Sequence, residues 1–442
     1  MYIVKLNKDG KWSVIKDGNK RASKLFDSKI EAISYASKKA EAEGTSFRVE
    51  EKSHPATNKK FILILFLIVL LVVIIIGILI GLGKIKLPIN NEDSDHTDTV
   101  IQEGELSIHF LELGNQYAGD SVFIKAGDVD ILIDAGSRES SSTTIHNYIK
   151  NYCTDGKLEY VIATHAHQDH IAGFVGTKSN PGIFDLYECE VIIDYALRNT
   201  TSSIAQSYEA KRDTEVSLGA KHYTAKDCID KTNGASNSFK LTDTITMEIL
   251  DQKYYHEKGS DENDYSVCML LSYGDNHFLF TGDLEEKGEA SLVEKNTLPH
   301  CKVFKGGHHG SKTSSTEKLL SKITPEVVCV CCCAGSSEYT NDVDNMFPTQ
   351  DFINRVAIYT NRIYVTTLAQ YTIAEKDGHE YPKVNGFESM NGNIVVTLDK
   401  NGNVVATCSN KDIILKQTDW FNSTIVLDGI ERKMRTWPEG GK

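Results

Sequence analysis

Residues 61–83, FILILFLIVLLVVIIIGILIGLG, run for 23 positions without a charged side chain, and no other stretch restricts the chain so severely. Roughly 20 apolar residues suffice to cross a bilayer, and soluble cores seldom enclose so long a wholly apolar helix. The run therefore predicts one transmembrane helix. A cleavable leader is not expected, because 60 residues precede the run and it exceeds the usual apolar region of a leader. Residues 1–60 hold 12 Lys and 2 Arg against 8 Asp plus Glu, a net of +6, which leaves −19 for residues 61–442 of a chain whose total is −13. Lys59 and Lys60 abut the run on the basic side, and NNEDSDHTD follows it on the other. Basic flanks stay in the cytoplasm, so the expected topology is a single pass in the cell membrane, N-terminus inside and the large C-terminal segment outside.

The remainder reads as globular, with 40% hydrophobic and 25% charged residues overall. Residues 1–53 predict a small basic ββαβ unit. Its strands are MYIVKL, KWSVIK and SFRVEE, and its helix is capped by Asp27 or Ser28 and closed by Gly44. Residues 54–60 and 84–104 read as linkers. From residue 105 strands alternate with helices to about 410, and 411–442 form a C-terminal extension with a frayed PEGGK end. SVFIKAG with VDILIDAG, SVCMLLSYGDNHFLFTGD and NIVVTLDKNGNVVATC predict hairpins, and about 203–232 predict a polar, helical insert. Ten cysteines include four in VCVCCC; none has C-x-x-C zinc spacing, so they read as buried free thiols acting as small hydrophobes.

Chemistry concentrates at strand ends. In YVIATHAHQDHIAGF a buried strand feeds a loop with His165, His167, Asp169 and His170. ILIDAGS offers Asp134, FLFTGDLEE offers Asp283, and VFKGGHHGSKTSS offers His308 and His309. Neutral imidazoles and carboxylates, one carboxylate shared, are what two divalent ions about 3.5–4 Å apart require.

H-x-H-x-D-H after a strand, T-G-D after a hairpin and then H-H-G-S resemble the metallo-β-lactamase fold superfamily over about residues 105–408. NDYSVCMLLSYGDNHFLFTGDLE with HHGSKTS is similar to the hydrolase domain of competence DNA-uptake proteins and to cell-wall phosphorylcholine esterases. The resemblance implies an α/β fold of the αββα sandwich type, with the metal site at one edge. It also implies a metallohydrolase that uses a metal-activated hydroxide on phosphodiesters. Carried over by motif, His165 and His167 bind a first ion, Asp169 and His170 a second, and Asp283 bridges. His309 is the last ligand, and His308 contacts substrate or steadies a developing oxyanion. Asp134 braces the loop, while Asn263, Ser266 and Ser311 fall at polar site positions. Zn2+ or Mn2+ is the implied cofactor pair.

Two positions depart from the pattern. A further histidine often lies between the first motif and T-G-D; here the candidate is His222, which reads as an ordinary surface histidine. Phe347-Pro348 stands where the competence type carries His-Pro. Lys302, Lys305 and Lys312 around H-H-G-S suggest a local anion-binding patch. The expected substrate is an envelope phosphodiester, with DNA as alternative; a membrane-anchored ligand sensor is the reading from another class. The first 50 residues, with K-W-x-V, R-A-S and F-D-S-K-x-E-A, resemble a small bacterial domain family of unknown function.

Overall fold

The computed structural model describes residues 1–7, 11–19, 21–26, 29–50 and 101–442, in two compact units. The apolar run at 61–83, the linkers through residue 100 and the helix cap at Asp27 or Ser28 lie outside the described residues. Among the described residues no helix is long and apolar enough to cross a membrane.

The N-terminal unit has strands β1 (Tyr2–Leu6), β2 (Trp12–Lys16), β3 (Lys24–Phe26) and β4 (Phe47–Glu50) in the order β3-β2-β1-β4, with a helix over Lys29–Ala42. It is thus βββαβ rather than ββαβ. The extra strand is three residues long, too short to give a period-2 signal, and it pairs with β2 through Trp12–Phe26.

The larger unit is two eight-stranded sheets face to face. The first begins with β5 (Leu106–Phe110), β6 (Val122–Ala126), β7 (Val129–Ile133), β8 (Lys157–Ala163), β9 (Glu188–Asp194) and β10 (Lys221–Thr224). The second holds β11 (Ser238–Lys240), β12 (Ile245–Leu250), β13 (Cys268–Tyr273), β14 (Asn276–Phe280), β15 (Val303–Lys305), β16 (Val327–Ala334), β17 (Ile363–Lys376) and β18 (His379–Ser389). The chain then returns through β19 (Ile394–Leu398) and β20 (Val404–Cys408) to pair with β5.

Alternation along each strand builds three apolar layers, because successive side chains face opposite ways. On β6, Val122 and Ile124 enter the core between the sheets, where Phe110 stacks on Phe280 at 6.4 Å, while Phe123 faces helices at Ser141–Ile149, Gln168–Val175 and Ser203–Leu218. On β16, Cys329 and Cys331 join the inter-sheet core, and Val328, Val330 and Cys332 meet helices at Glu286–Lys295, Glu317–Ile323 and Gln350–Val356. A strand covered on both faces has no polar side, which is why VCVCCC shows no alternation. All ten cysteines are free.

Residues 411–442 are integral to the second helical layer, not an appendage. Leu415, Trp420, Phe421 and Met434 are buried there, and β21 (Thr424–Leu427) pairs with β22 (Ile430–Lys433). The terminus is tied down, since the Lys442 N–H donates to the Ala357 carbonyl at 2.9 Å. The 203–232 insert contains the expected helix and a second one at Ala225–Asp230, but His222 sits on β10, an edge strand, rather than in helical surroundings.

Candidate metal centre

Strands β7, β8 and β9 are mutually parallel, as are β14, β15 and β16, so their C-terminal ends gather along one edge of the sandwich. The loops after β7, β8, β14 and β15 carry Asp134, His165–His170, Asp283 and His308–His309 respectively. Ligand atoms of Asp169, His170, Asp283 and His309 all lie within 4.8 Å of one another. Asp283 Oδ2 is 3.1 Å from His170 Nε2 and 3.2 Å from His309 Nε2. Asp169 Oδ2 is 3.2 Å from His309 Nε2 and accepts a bond from the Tyr339 hydroxyl at 3.0 Å.

His165 and His167 adjoin this group. His165 Nε2 is 3.0 Å from His167 Nδ1, and its ring centroid is 4.1 Å from that of His170. Among the described residues neither belongs to a set of three or more ligand atoms, and His222 does not complete one. Its Nε2 is engaged with Asp194 Oδ1 at 2.7 Å, and Asp194 also binds Arg212.

Backbone geometry aims several of these side chains. Asp134, His308 and His309 adopt positive φ of 57°, 44° and 53°, conformations that β-carbon-bearing residues seldom hold without support from their surroundings. In T-G-D, Gly282 has φ 54°, and a β-carbon there would come within 2.9 Å of Thr164 and Ser266, so only glycine lets the β14 end approach the histidine loop.

Asp134 contacts His170 on the ring nitrogen opposite Asp283. Its Oδ2 lies 2.7 Å from His170 Nδ1 and accepts from the Thr164 hydroxyl, and its Oδ1 accepts from the Thr164 N–H at 2.8 Å. Ser266 Oγ accepts from the Asp283 N–H at 3.0 Å and lies 3.4 Å from His165 Nδ1. His309 Nδ1 is 2.9 Å from the Cys331 carbonyl. The contacts at Nδ1 of His170 and of His309 leave Nε2 of each ring toward Asp283.

The two histidines of H-H-G-S separate clearly. His309 is fully buried within the cluster. His308 stands at the rim: its Nδ1 is 3.0 Å from Thr313 Oγ1 and 3.3 Å from Glu285 Oε1, and its Nε2 is 3.9 Å from Asp283 Oδ2. Asn263 reaches only Glu285, at 3.4 Å, and Ser311 shapes the turn that presents Thr313. Neither touches the clustered ligand atoms. Their polar character reports loop geometry two steps removed.

Sequence reasoning missed Asp120, Tyr339 and Glu285, and it placed Lys305 in a local anion-binding patch. Asp120 Oδ1 is 3.2 Å from His309 Nδ1, and its Oδ2 pairs with the Lys305 ammonium. Asp120 precedes a strand antiparallel to the one that ends at Asp134, so the same sheet edge receives both. That topological signal was the only one available. Lys305 is 2% exposed, with Nζ 3.5 Å from Asp283 Oδ1 and donating to the Gly282 carbonyl at 3.2 Å. It is therefore not part of a surface anion patch; β15 lies in the sheet interior and turns Lys305 into the site. Lys302 pairs with Glu326 and Lys312 bonds Asn345.

Charge is balanced in this closed space. Burial disfavours charge on Asp283, yet His170, His309 and Lys305 hold its carboxyl well below the usual range. Burial likewise opposes protonated His170 and His309, but the facing carboxylates, Asp283 foremost, hold both well above the ordinary histidine value. His165, buried among other imidazoles, is pushed well below it. Asp283 Oδ1 is buried with no hydrogen-bond partner. Two imidazoles and two carboxylates whose ligand atoms lie within 4.8 Å of one another fit a divalent cation, and the N/O donor mixture suits Zn2+ and also Mn2+.

Residues 114–334 match the metallo-beta-lactamase superfamily, half of the chain, and residues 1–56 match a family described as an uncharacterized protein conserved in bacteria, DUF2188. The chain belongs to the metallo-beta-lactamase superfamily. Among curated relatives it is similar to Competence protein ComA of Neisseria gonorrhoeae, 26% identical over 272 residues covering 61% of this chain and 32% of the relative. It is also similar to ComE operon protein 3 of Bacillus subtilis, 24% identical over 249 residues, 52% of this chain and 28% of the relative. The chain thus spans about a third or less of the length of these two relatives. Among solved structures, the metallo-beta-lactamase fold protein YhfI from Bacillus subtilis aligns with a TM-score of 0.35 at 10% identity, covering 60% of this chain and 96% of that one.

Proposed function

We propose that this chain is a phosphodiesterase acting on nucleic acid at the outer face of a membrane, tethered there by residues 61–83. Asp283 carries the hydrolytic reading: one oxygen lies between His170 and His309 at 3.1 and 3.2 Å, and the other is buried and unsatisfied. Asp169, His170, Asp283 and His309 would hold one divalent ion, and His165 and His167 with Asp283 a second. When bound, such ions supply Lewis acidity and lower the pKa of water to near neutrality.

The chain's own groups prepare that chemistry. Asp134 and Thr164 fix the ring orientation of His170, and the Tyr339 hydroxyl orients Asp169. Lys305 offsets the charge of Asp120 and Asp283 without leaving the interior. His308, held at Nδ1 by Thr313 and Glu285, presents Nε2 toward Asp283, where it holds a proton for a departing oxygen.

Nucleic acid is favoured over an envelope phosphodiester by the mouth of the site. Tyr339 is 58% exposed and its ring lies 5.7 Å from that of Phe347, which also flanks His308 and His309. An exposed aromatic ledge beside a hydrolytic centre suits stacked bases. The relatives named as competence proteins lean the same way. The net charge of −19 beyond residue 60 opposes long-range capture, so recognition rests on such short-range contacts.

The test is turnover by the purified chain, with zinc or manganese, of a chromogenic phosphodiester and of single-stranded DNA. The expected result is metal-dependent cleavage of both, lost with a chelator and in Asp169→Ala. Cleavage of the small diester alone would move the substrate to the envelope. Cleavage of neither would sink the hydrolase reading in favour of a binding module.

A further inference from the structure

We infer that a cavity flanking the metal centre is a nucleotide subsite, which takes the unit of a single strand next to the cleaved phosphate; this rests on the hydrolytic reading above. The cavity, about 270 Å³, is walled by Gln116 and Tyr117, by Ser336–Glu338, and by Tyr381 and Lys383 of β18. Two of these walls run directly into the centre. Asp120, three residues beyond Tyr117, meets His309 Nδ1 at 3.2 Å, and Tyr339, next after Glu338, donates its hydroxyl to Asp169 at 3.0 Å. An occupant of the cavity therefore lies alongside the site's ligand residues.

The walls are built to persist. Ser336 Oγ donates to the Gln116 carbonyl at 3.2 Å, the Val384 N–H donates to Ser337 Oγ at 3.2 Å, and Glu338 accepts from the Ala118 N–H at 2.8 Å. Arg138 pairs with Glu338 at 3.2 Å and lays its guanidinium 3.5 Å over the Tyr117 ring. The one carboxylate in the wall is thus already matched by a cation and does not repel a phosphate. Lys383 is exposed, and no hydrogen bond or ion pair of its side chain exists among the described residues. Two tyrosine rings, a free ammonium and amide and hydroxyl groups suit a flat base, a phosphate oxygen and polar base edges respectively. The cavity has room for about one nucleoside and none for a duplex, and Tyr339 of the aromatic ledge follows directly on its Glu338 wall.

The experiment compares the full chain with Tyr381→Ala, Lys383→Ala and the double variant on two substrates: a single-stranded decanucleotide, and a chromogenic diester too small to span centre and cavity. The double variant is expected to raise KM for the decanucleotide about tenfold or more, with kcat unchanged, while the small diester is turned over as by the parent. An unchanged decanucleotide KM would overturn the subsite and leave the hydrolase reading standing. An equal loss on both substrates would also overturn it, since the change would then act on the centre or the fold. If the parent cleaves neither substrate, the hydrolase reading fails by itself. Fluorescence anisotropy of a labelled decanucleotide then decides the subsite: weaker binding by the double variant supports it, and equal binding overturns it.

Discussion

Lys305 and Asp120 form an ion pair in the floor of the metal centre, with each side chain 3% exposed. The pair is buried under H-H-G-S, and Lys305 also faces Asp283 at 3.5 Å. Burial opposes the charge on Lys305, but the two carboxylates outweigh it and hold its pKa above the usual lysine value. Removing one partner of a buried pair strands the other, at a cost of about 3–5 kcal/mol. Lys305→Met is therefore expected to lower the stability of the metal-free chain by that order. Thermal unfolding checks this, and Asp120→Asn added to Lys305→Met should recover part of the loss. An unchanged melting temperature would show that the pair contributes nothing.

Asp134 acts on metal through His170. Because it contacts Nδ1 and leaves Nε2 toward Asp283, Asp134→Ala should weaken metal affinity about 10–100-fold without removing a ligand. Titration with zinc against a chelating competitor measures this. An affinity equal to the parent's would mean that Thr164 and the loop alone set the ring.

His109 gives a pH dependence away from the site. It is 1% exposed, bonded to Ser107 and Tyr148, and burial pushes its pKa down to about 4. Its folded value lies below the unfolded value of about 6.5, so the unfolded chain takes up the proton first as pH falls. Stability should therefore be lost between about pH 6.5 and 4, by up to about 3 kcal/mol from this residue. His109→Gln should flatten the pH dependence of the melting temperature in that window; an identical slope would contradict the assignment.

The cysteines should behave as packing groups. Nine are buried, and burial raises the thiols of Cys228, Cys301 and Cys331 to about 12. A thiol reagent at pH 8 should react negligibly with the native chain and with all ten after denaturation. Rapid native labelling of more than Cys408, the half-buried one, would contradict this.

Much of the centre was legible because its residues follow strands with a strong apolar signal: YVIAT before His165, ILI before Asp134, FLF before Asp283. The two-sheet sandwich was implied by the resemblance that these motifs carry, whereas the order of hairpins and helices indicated only that strands alternate with helices. Asp120 was not legible, since nothing local marks it, and only the antiparallel register of β6 on β7 carries it to Asp134's edge. Lys305 read as a surface cation because a lysine's burial depends on partners distant in sequence, here Asp120 and Asp283. Tyr339 and the long β17–β18 hairpin that supplies Tyr381 and Lys383 lie in segments with mixed polarity and half-exposed strands, where periodicity is weak. The choice of His309 over His308 followed from the resemblance over H-G-S; in the fold both have positive φ, and it is burial that separates them, His309 inside the cluster and His308 at its rim.

The central claim is that these residues hold metal, and metal content per chain tests it most directly. The purified full-length chain, incubated with zinc and freed of excess, should retain at least one ion per chain, and Asp283→Asn and His309→Ala should each retain markedly less. A parent that retains none with either zinc or manganese, or variants that retain as much as the parent, would contradict the account.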